Sequence, residues 1–413
     1  MKFSSSWNCI WLFSFGFFIL PGLLTSCGSG QELSVSDFKF DGPIGSEDAV
    51  IERLGKNIFK ITLAHAPENP DWSNKLNFQI TGHAKGNDLV LVVEGPPRYP
   101  MNEYFQSWSY DMENWNPVYW KAGGKVRSKY SRETDTLVLP VFRENQVWVG
   151  HQVPMSYDQV EDLIESIRSN RNVKIHTLGK SLGGRNLYRI TISDPSGEIP
   201  ESHRWGHYFI NQHPGEHNAQ WRIVGMIEWL LSEQGSHLRK HSICHFVIMM
   251  SPDGPQNGWY RNNAQGVDMN RSYCAEGADP AKQAHEPSVF QRDLERIMAS
   301  ETPVTTLWGN HTWGGIVEPL LYVAEDENNT ASRWMEWRDI LESIDRENLI
   351  KPLALRDRPG SGGTTWEYGP HLQFGITTIL CEGAGALHTR EQNEKSGSYL
   401  IESLDKFYSG TRR

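Results

Sequence analysis

From residue 173 onward, short runs of almost purely apolar residues take turns with amphipathic stretches, and few folds accept that rhythm. The runs "WGHYFINQ", "ICHFVIMMS", "VTTLWGN", "PLLYVAE" and "GITTILCEG" are short for helices and too apolar for strands with one wet face. They read as strands buried on both sides. Between them lie stretches of helical period: in "AQWRIVGMIEWLLSE", Trp221, Val224, Ile227, Leu230 and Leu231 are spaced for one face. "SVFQRDLERIMAS", "RWMEWRDILESI" and "SYLIESLDKFY" are further helices of this kind. Strands without a wet face need cover above and below, so the spacing predicts an α/β sheet with helices on both faces. "VKIHTLG" and "NLYRITISD" read as a hairpin at its start.

Upstream the rhythm differs. Residues 46–153 hold short β-type runs, "NIFKITLA", "KLNFQITG", "DLVLVVEG", "DTLVLPVF" and "QVWVGHQVP", separated by turn formers such as "AKGND" and "KAGGK". That pattern predicts an all-β sandwich. It ends at Pro154, where "MSYDQVEDLIESIRSN" sets Val160, Leu163, Ile164 and Ile167 on one helical face. The expected organisation is a β-sandwich domain over 46–153 and an α/β domain over 154–413.

The first residues are not fold. Lys2 precedes "WLFSFGFFILPGLL", a little short for a spanning helix, and the segment closes on Leu24-Thr25-Ser26-Cys27. This resembles the bacterial lipoprotein box. The resemblance implies a signal peptide over 1–26, acylation of Cys27, a tether over 27–45, and export to a bacterial membrane facing the periplasm or cell exterior. Membrane contact would come through that lipid alone, and two or three acyl chains anchor stably where one does not. An ordinary signal peptide with an incidental cysteine is the alternative. With Cys9 in the signal, Cys244, Cys274 and Cys381 remain. A Cys244–Cys274 disulfide is left open. The chain carries a formal charge of −10 and no long basic run, which argues against nucleic acid as a partner.

The chemistry gathers at strand ends. "NQHPGEHNAQW" places His213 and Glu216 three apart between a buried strand and a helix. Proline suits a first helical position and glycine allows a sharp bend, so both side chains can turn to one side of the sheet's carboxyl edge. Glu216 is then expected in the first helical turn, where it would equally complement the helix dipole. His311 ends a second apolar run and is the candidate third ligand. Two histidines and a carboxylate with one open position form a catalytic zinc arrangement. The competing reading is a satisfied structural histidine. "SPDGPQNGWYRNNAQGVDMNRSY" carries Arg261, Asn270 and Arg271 in a loop rich in glycine and asparagine. Guanidinium forks suit a free carboxylate and Asn270 adds a neutral donor, although loop arginines are common on any surface. Glu382 follows the apolar run "GITTILC". It lies either in solvent at a strand end or inside a site, where it can move a proton. Cys381 beside it reads as a buried strand residue.

Jointly these residues resemble the zinc carboxypeptidases of the funnelin type, and more closely the cytosolic carboxypeptidase branch. That branch reads HPGE as here and spaces its two substrate arginines closely, as Arg261 and Arg271 are in "YR…G.D.NR". "VWVGHQVPMSYDQVEDLI" looks like that branch's sandwich running into its first catalytic helix, and "LGKSLGGRNL" resembles the family's Gly-x-Ser-x-x-Gly-Arg turn. The resemblance implies an N-terminal antiparallel β-sandwich followed by an α/β/α zinc carboxypeptidase domain with a mixed central sheet. It implies one Zn2+ per chain on His213, Glu216 and His311, and Glu382 as general base and acid. It further implies Arg261, Asn270 and Arg271 as binders of the terminal carboxylate and polarised carbonyl of peptide or protein C-termini. The family's active-site tyrosine is not matched with certainty of register: Tyr368 is offered, and Arg358 may stand in the usual place. Arg356 and Arg358 near the specificity segment weakly suggest an acidic C-terminal residue, against the reading of solvated surface arginines.

Three rivals remain at this level. "GKSLG" fits a serine-hydrolase elbow at Ser181, but a helix must follow and "NLYRITISD" alternates like a strand. A zinc amidase or deacylase acting on cell-wall stem peptides or N-acyl amino acids would use the same ligands, arginines and glutamate. A non-enzymatic carbohydrate-binding face could be built from "YPMNEYFQSWSYDMENWNPVYW", unless those aromatics serve as core and interdomain contact.

Overall fold

Along Leu89–Gly95 the side chains alternate between buried and half-buried at every step, the mark of a strand with one face on a core. The computed structural model describes residues 31–95, 105–121, 133–275, 279–313, 318–322, 330–350, 362–385 and 387–409. The signal, Cys27, the start of the tether, Arg356 and Arg358 lie outside the described residues.

Leu89–Gly95 belongs to one of two five-stranded sheets. Phe59, Ile61, Leu91, Val93 and Leu137 from its sheet and Phe78, Ile80, Val147 and Val149 from the other join in one apolar cluster. Two sheets sharing one core make the expected sandwich. Among the described residues its named strands pair antiparallel except Ile58–Thr62 and Leu89–Gly95, which run parallel.

The aromatics of the 99–120 segment that lie among the described residues are used for packing. Phe105 and Trp115 join the core of the α/β half, Trp108, Tyr110 and Trp120 pack on the sandwich core, and Tyr119 reaches His388. This removes the carbohydrate-face reading for Phe105 and Trp115, whose rings are buried.

Helix Tyr157–Ile167 opens on a Ser156 cap that accepts from the Gln159 N–H, and Gln159 reaches back to Ser156, a capping box. It leads to a seven-stranded mixed sheet. Val173–Lys180 and Asn186–Ile192 form the antiparallel hairpin, and Ser242–Val247 follows antiparallel. Trp205–Ile210, Thr306–Trp313 and Thr377–Ala384 then run parallel in that spatial order, with Glu318–Tyr322 antiparallel at the far edge. Helices His217–Leu231, Thr330–Ile344 and Arg390–Ser409 share a cluster on one face, and His285–Met298 covers the other. Ser181 sits in the hairpin turn, its hydroxyl donating to Asp253 at 2.9 Å, and a strand rather than a helix follows. The serine-elbow geometry is therefore absent there. Cys244, Cys274 and Cys381 are free thiols, so no Cys244–Cys274 disulfide forms.

Candidate metal centre

His213, Glu216 and His311 converge. Each offers a ligand atom, and these atoms lie within 4.8 Å of one another. His213 Nδ1 stands 2.8 Å from Glu216 Oε1, and His311 Nδ1 stands 2.8 Å from Glu216 Oε2 and 3.0 Å from His213 Nδ1. All three are buried, with exposures of 1%, 2% and 2%.

The local chain explains the convergence, with two corrections. Glu216 is the residue before helix His217–Leu231, not part of its first turn, and Pro214-Gly215 form a tight turn ahead of it, so Pro214 is not at the first helical position. With φ −94° and ψ 62°, Glu216 is held outside helical geometry. Its carboxylate accepts from the Thr312 N–H at 3.1 Å on the neighbouring strand. Gly215 is needed for close approach: a Cβ there would lie 2.7 Å from the Tyr260 ring and 2.8 Å from its Cα. His311 and Glu382 are each inside a strand rather than beyond one, and they are paired across the parallel ladder, His311 beside Glu382. Lateral neighbours in a sheet point to the same face.

Two further carboxylates stand behind the imidazoles. His213 Nε2 is 3.0 Å from Asp268 Oδ1, and His311 Nε2 is 2.8 Å from Glu367 Oε1. With Nε2–H donated outward, both Nδ1 lone pairs face the centre, as a metal requires. Burial pushes the Glu216 carboxyl up, but His213 and His311 outweigh it and hold the group well below the usual range. Burial would lower His311, yet Glu216 and Glu367 hold it well above the ordinary imidazole value. A site this electron-rich draws either a proton or a metal cation. The donor set, its spacing and its closed hydrogen-bonded surround fit zinc.

Glu382 has the opposite electrostatics. Burial, with help from Glu216 and Glu367 and against His311 and Arg261, pushes its carboxyl up to about 7. Its Oε2 is shielded from solvent and has no hydrogen-bond partner among the described residues. A carboxyl poised near neutrality with a free oxygen is suited to moving a proton.

The arginines divide. Arg261 donates through Nε to Asp268 Oδ2 at 3.1 Å and stands 3.3 Å from Glu216 Oε1 through Nη1, at the rim of the trio. Arg271 is exposed and donates to the Asn270 carbonyl at 2.7 Å. Asn270 turns inward: its Nδ2 donates to Glu367 Oε2 at 2.8 Å while its Oδ1 accepts from the Trp366 N–H at 2.9 Å. Tyr368 follows Glu367 in the chain and stacks on His371, with ring centroids 5.8 Å apart.

Residues 160–314 match the model of the zinc carboxypeptidase family. The matched segment contains the whole metal trio and both arginines, while Glu382 and Glu367 come from the chain beyond it. A protein of Zymomonas mobilis named as uncharacterized is 28% identical over 242 residues, 57% of this chain and 59% of that one. Cytosolic carboxypeptidase 2 of Danio rerio is 31% identical over 148 residues, 34% of this chain and 20% of its own length. The chain thus spans less than two thirds of either relative. The crystal structure of a metallo-carboxypeptidase from Burkholderia cenocepacia has the same fold, with a TM-score of 0.75 over 90% of this chain and 98% of that one at 15% identity.

Sequence reasoning missed Asp268, Glu367 and Trp72. Asp268 had a signal, standing two residues before Asn270 in "GVDMNR". Glu367 had none, since it reaches His311 from a loop 56 residues away. Trp72 comes from strand Asn69–Ser73, which pairs with His65–Ala66 in a two-stranded hairpin outside both sandwich sheets, and its ring lies 5.8 Å from the guanidinium carbon of Arg261.

Proposed function

We propose that the protein is a zinc-dependent metallocarboxypeptidase that hydrolyses the C-terminal peptide bond of peptides or proteins. The observation that carries the reading is the His213–Glu216–His311 trio with the free oxygen of Glu382 across the ladder from His311. Zinc held there supplies Lewis-acid polarisation of a carbonyl and makes water a nucleophile near neutral pH. The chain's own groups do the rest. Glu382 takes the water's proton and returns it to the departing amine, which a carboxyl near neutrality does in both directions. Arg261, at the rim of the trio, polarises the scissile carbonyl. Arg271 presents its guanidinium to the substrate's terminal carboxylate, so an internal peptide bond lacks the charge that would hold it.

A C-terminal peptide library digested by the zinc-loaded protein and read by mass spectrometry tests this. Single C-terminal residues should be released, and C-terminally amidated peptides should survive. Equal cleavage of amidated and free-acid peptides would overturn the carboxypeptidase reading.

Domain and location belong to the same proposal. The change of pattern at Pro154 supports a sandwich domain over 46–153 and a catalytic domain over 154–413. Lys2, the apolar run and Leu24-Thr25-Ser26-Cys27 support export and lipid anchoring at Cys27. Labelled fatty acid should enter the protein in a bacterial host and be lost in Cys27→Ser; equal labelling of both would remove the anchor.

A further inference from the structure

We infer that Glu367 and Asn270 act as a couple of positioning residues that fix the tautomer and tilt of His311 for metal. The inference rests on the reading of His213, Glu216 and His311 as the zinc trio.

Asn270 Oδ1 accepts from the Trp366 backbone N–H at 2.9 Å, which settles which end of the amide is oxygen. Nδ2 must then be the donor; it stands 2.8 Å from Glu367 Oε2 and 3.2 Å from His311 Nε2, farther from that nitrogen than the carboxylate oxygen at 2.8 Å. The other oxygen, Oε1, is 2.8 Å from His311 Nε2 and also accepts from Gln212 Nε2 at 3.2 Å. Three donors thus converge on one carboxylate. With two side-chain amides donating to it, the Glu367 carboxylate is an acceptor toward His311. An acceptor at Nε2 keeps the proton on that atom and leaves the Nδ1 lone pair facing the trio.

The backbone is arranged around the same contact. Gly309 lies two residues before His311 on the same strand face, and a Cβ there would land on the Glu367 carboxylate. Thr378 Oγ1 donates to the Glu367 carbonyl and ties its loop to the strand that carries Glu382. Glu367 is 2% exposed and touches the imidazole from the side away from the trio, so it acts through His311 rather than on substrate. Asn270, 5% exposed and bonded at both ends, is likewise committed to this layer.

The two imidazoles are supported unequally. Asp268, behind His213, shares its charge with Arg261, whose Nε and Nη2 both lie 3.1 Å from Oδ2. Among the described residues, Glu367 pairs with His311 and side-chain amides and with no guanidinium. Its one ionic partner there is therefore His311.

The test is zinc affinity, measured on the full chain by competition with a chromophoric chelator, together with the visible spectrum of the cobalt(II)-loaded protein. Glu367→Gln should bind zinc about 10- to 100-fold more weakly and shift the cobalt bands. Asn270→Ala, which keeps the carboxylate, should weaken zinc by up to about tenfold, and it guards against a Glu367 variant that fails to fold. Zinc binding within twofold of wild type in both folded variants, with an unchanged cobalt spectrum, would overturn the inference. His311→Ala separates the two levels: if it still binds one zinc tightly, the trio reading itself fails, whatever Glu367→Gln does.

Discussion

The sandwich and the carboxyl edge of the seven-stranded sheet are buried to the same degree by opposite means. In the sandwich, Phe59, Ile61, Leu91, Val93, Leu137 and Val147 are all at 0% exposure and all apolar. At the sheet edge, His213, Glu216, His311, Glu367 and Asn270 are at 5% or less, and every one is polar or charged. Apolar burial needs only complementary shape, whereas each buried polar atom needs a partner or it costs stability. The sandwich core therefore tolerates rearrangement, while the edge works only if its hydrogen bonds close. Among the oxygens there without a partner among the described residues is Glu382 Oε2, on the strand beside His311. Function and stability should separate along this line, and substitutions can probe it.

The largest effect belongs to that oxygen. Glu382→Gln keeps the shape and removes the titrating group, and kcat/KM should fall by about 10^2- to 10^4-fold. Zinc stoichiometry and melting temperature should stay near wild type. More than a tenth of wild-type activity would take Glu382 out of the proton transfer. The sandwich should answer in the other currency: Phe59→Ala, at 0% exposure, should cost about 3–5 kcal/mol in denaturant unfolding. Its folded fraction should keep zinc affinity within about threefold of wild type. A larger loss would mean that the two regions are not separable.

A third probe is pH, through a polar group in the α/β half that is buried without a counter-charge. His207 is 0% exposed, its Nδ1 2.7 Å from Thr306 Oγ1, and burial pushes it down to about 3. In the unfolded chain it titrates near 6.5. Between those values the unfolded state holds a proton that the native state refuses, so stability falls as pH drops below 6.5 and the contribution is flat above it. By pH 5 the loss should approach about 2 kcal/mol. Unfolding of wild type and His207→Gln at pH 7.5 and pH 5 isolates it: the variant should lose less stability between the two. Equal losses would show that His207 is charged in the native protein.

The same contrast decides what could be read before folding. Alternating hydropathy announced the sandwich strands, and apolar runs announced Trp205–Ile210, Thr306–Trp313 and Thr377–Ala384, because period and burial are local properties. His213 and Glu216 were legible because three residues separate them. His311 and Glu382 were legible because each interrupts or ends an apolar run. Glu367 was not, since its meaning comes from two contacts across the fold, to His311 and to Asn270, and its neighbours in "TTWEYG" carry no periodicity. The resemblance put Asn270 among the binders of the terminal carboxylate; its contacts to the Trp366 N–H and the Glu367 carboxylate had no local signal. The start of helix His217–Leu231 was placed too early, since proline and glycine ahead of a helix look alike whether they begin it or form the turn before it.

The smallest predicted effect lies on the seam between the two regions. The hairpin of His65–Ala66 and Asn69–Ser73, which follows the sandwich strand Ile58–Thr62 in the chain, packs directly on the loop that carries Arg261. A Cβ at Gly266, whose φ is +71°, would land on the Pro67 carbonyl, and Asn69 Nδ2 donates to the Gly266 carbonyl at 3.4 Å. From the same hairpin the Trp72 ring meets the Arg261 guanidinium at 5.8 Å. A cation near an aromatic ring is stabilised by about 0.5–2 kcal/mol, the upper end applying when water is excluded, and Trp72 is 6% exposed. If the sandwich helps aim Arg261, Trp72→Ala should lower kcat/KM by about two- to thirtyfold. Trp72→Phe should recover part of that, and zinc affinity should be unchanged in both. If Trp72→Ala lowers only the melting temperature and leaves kcat/KM alone, the sandwich supports the catalytic half without touching its chemistry. The division between a region that stabilises and a region that reacts would then be complete. A drop in kcat/KM with partial recovery by phenylalanine would instead place the sandwich's influence inside the site, through one ring.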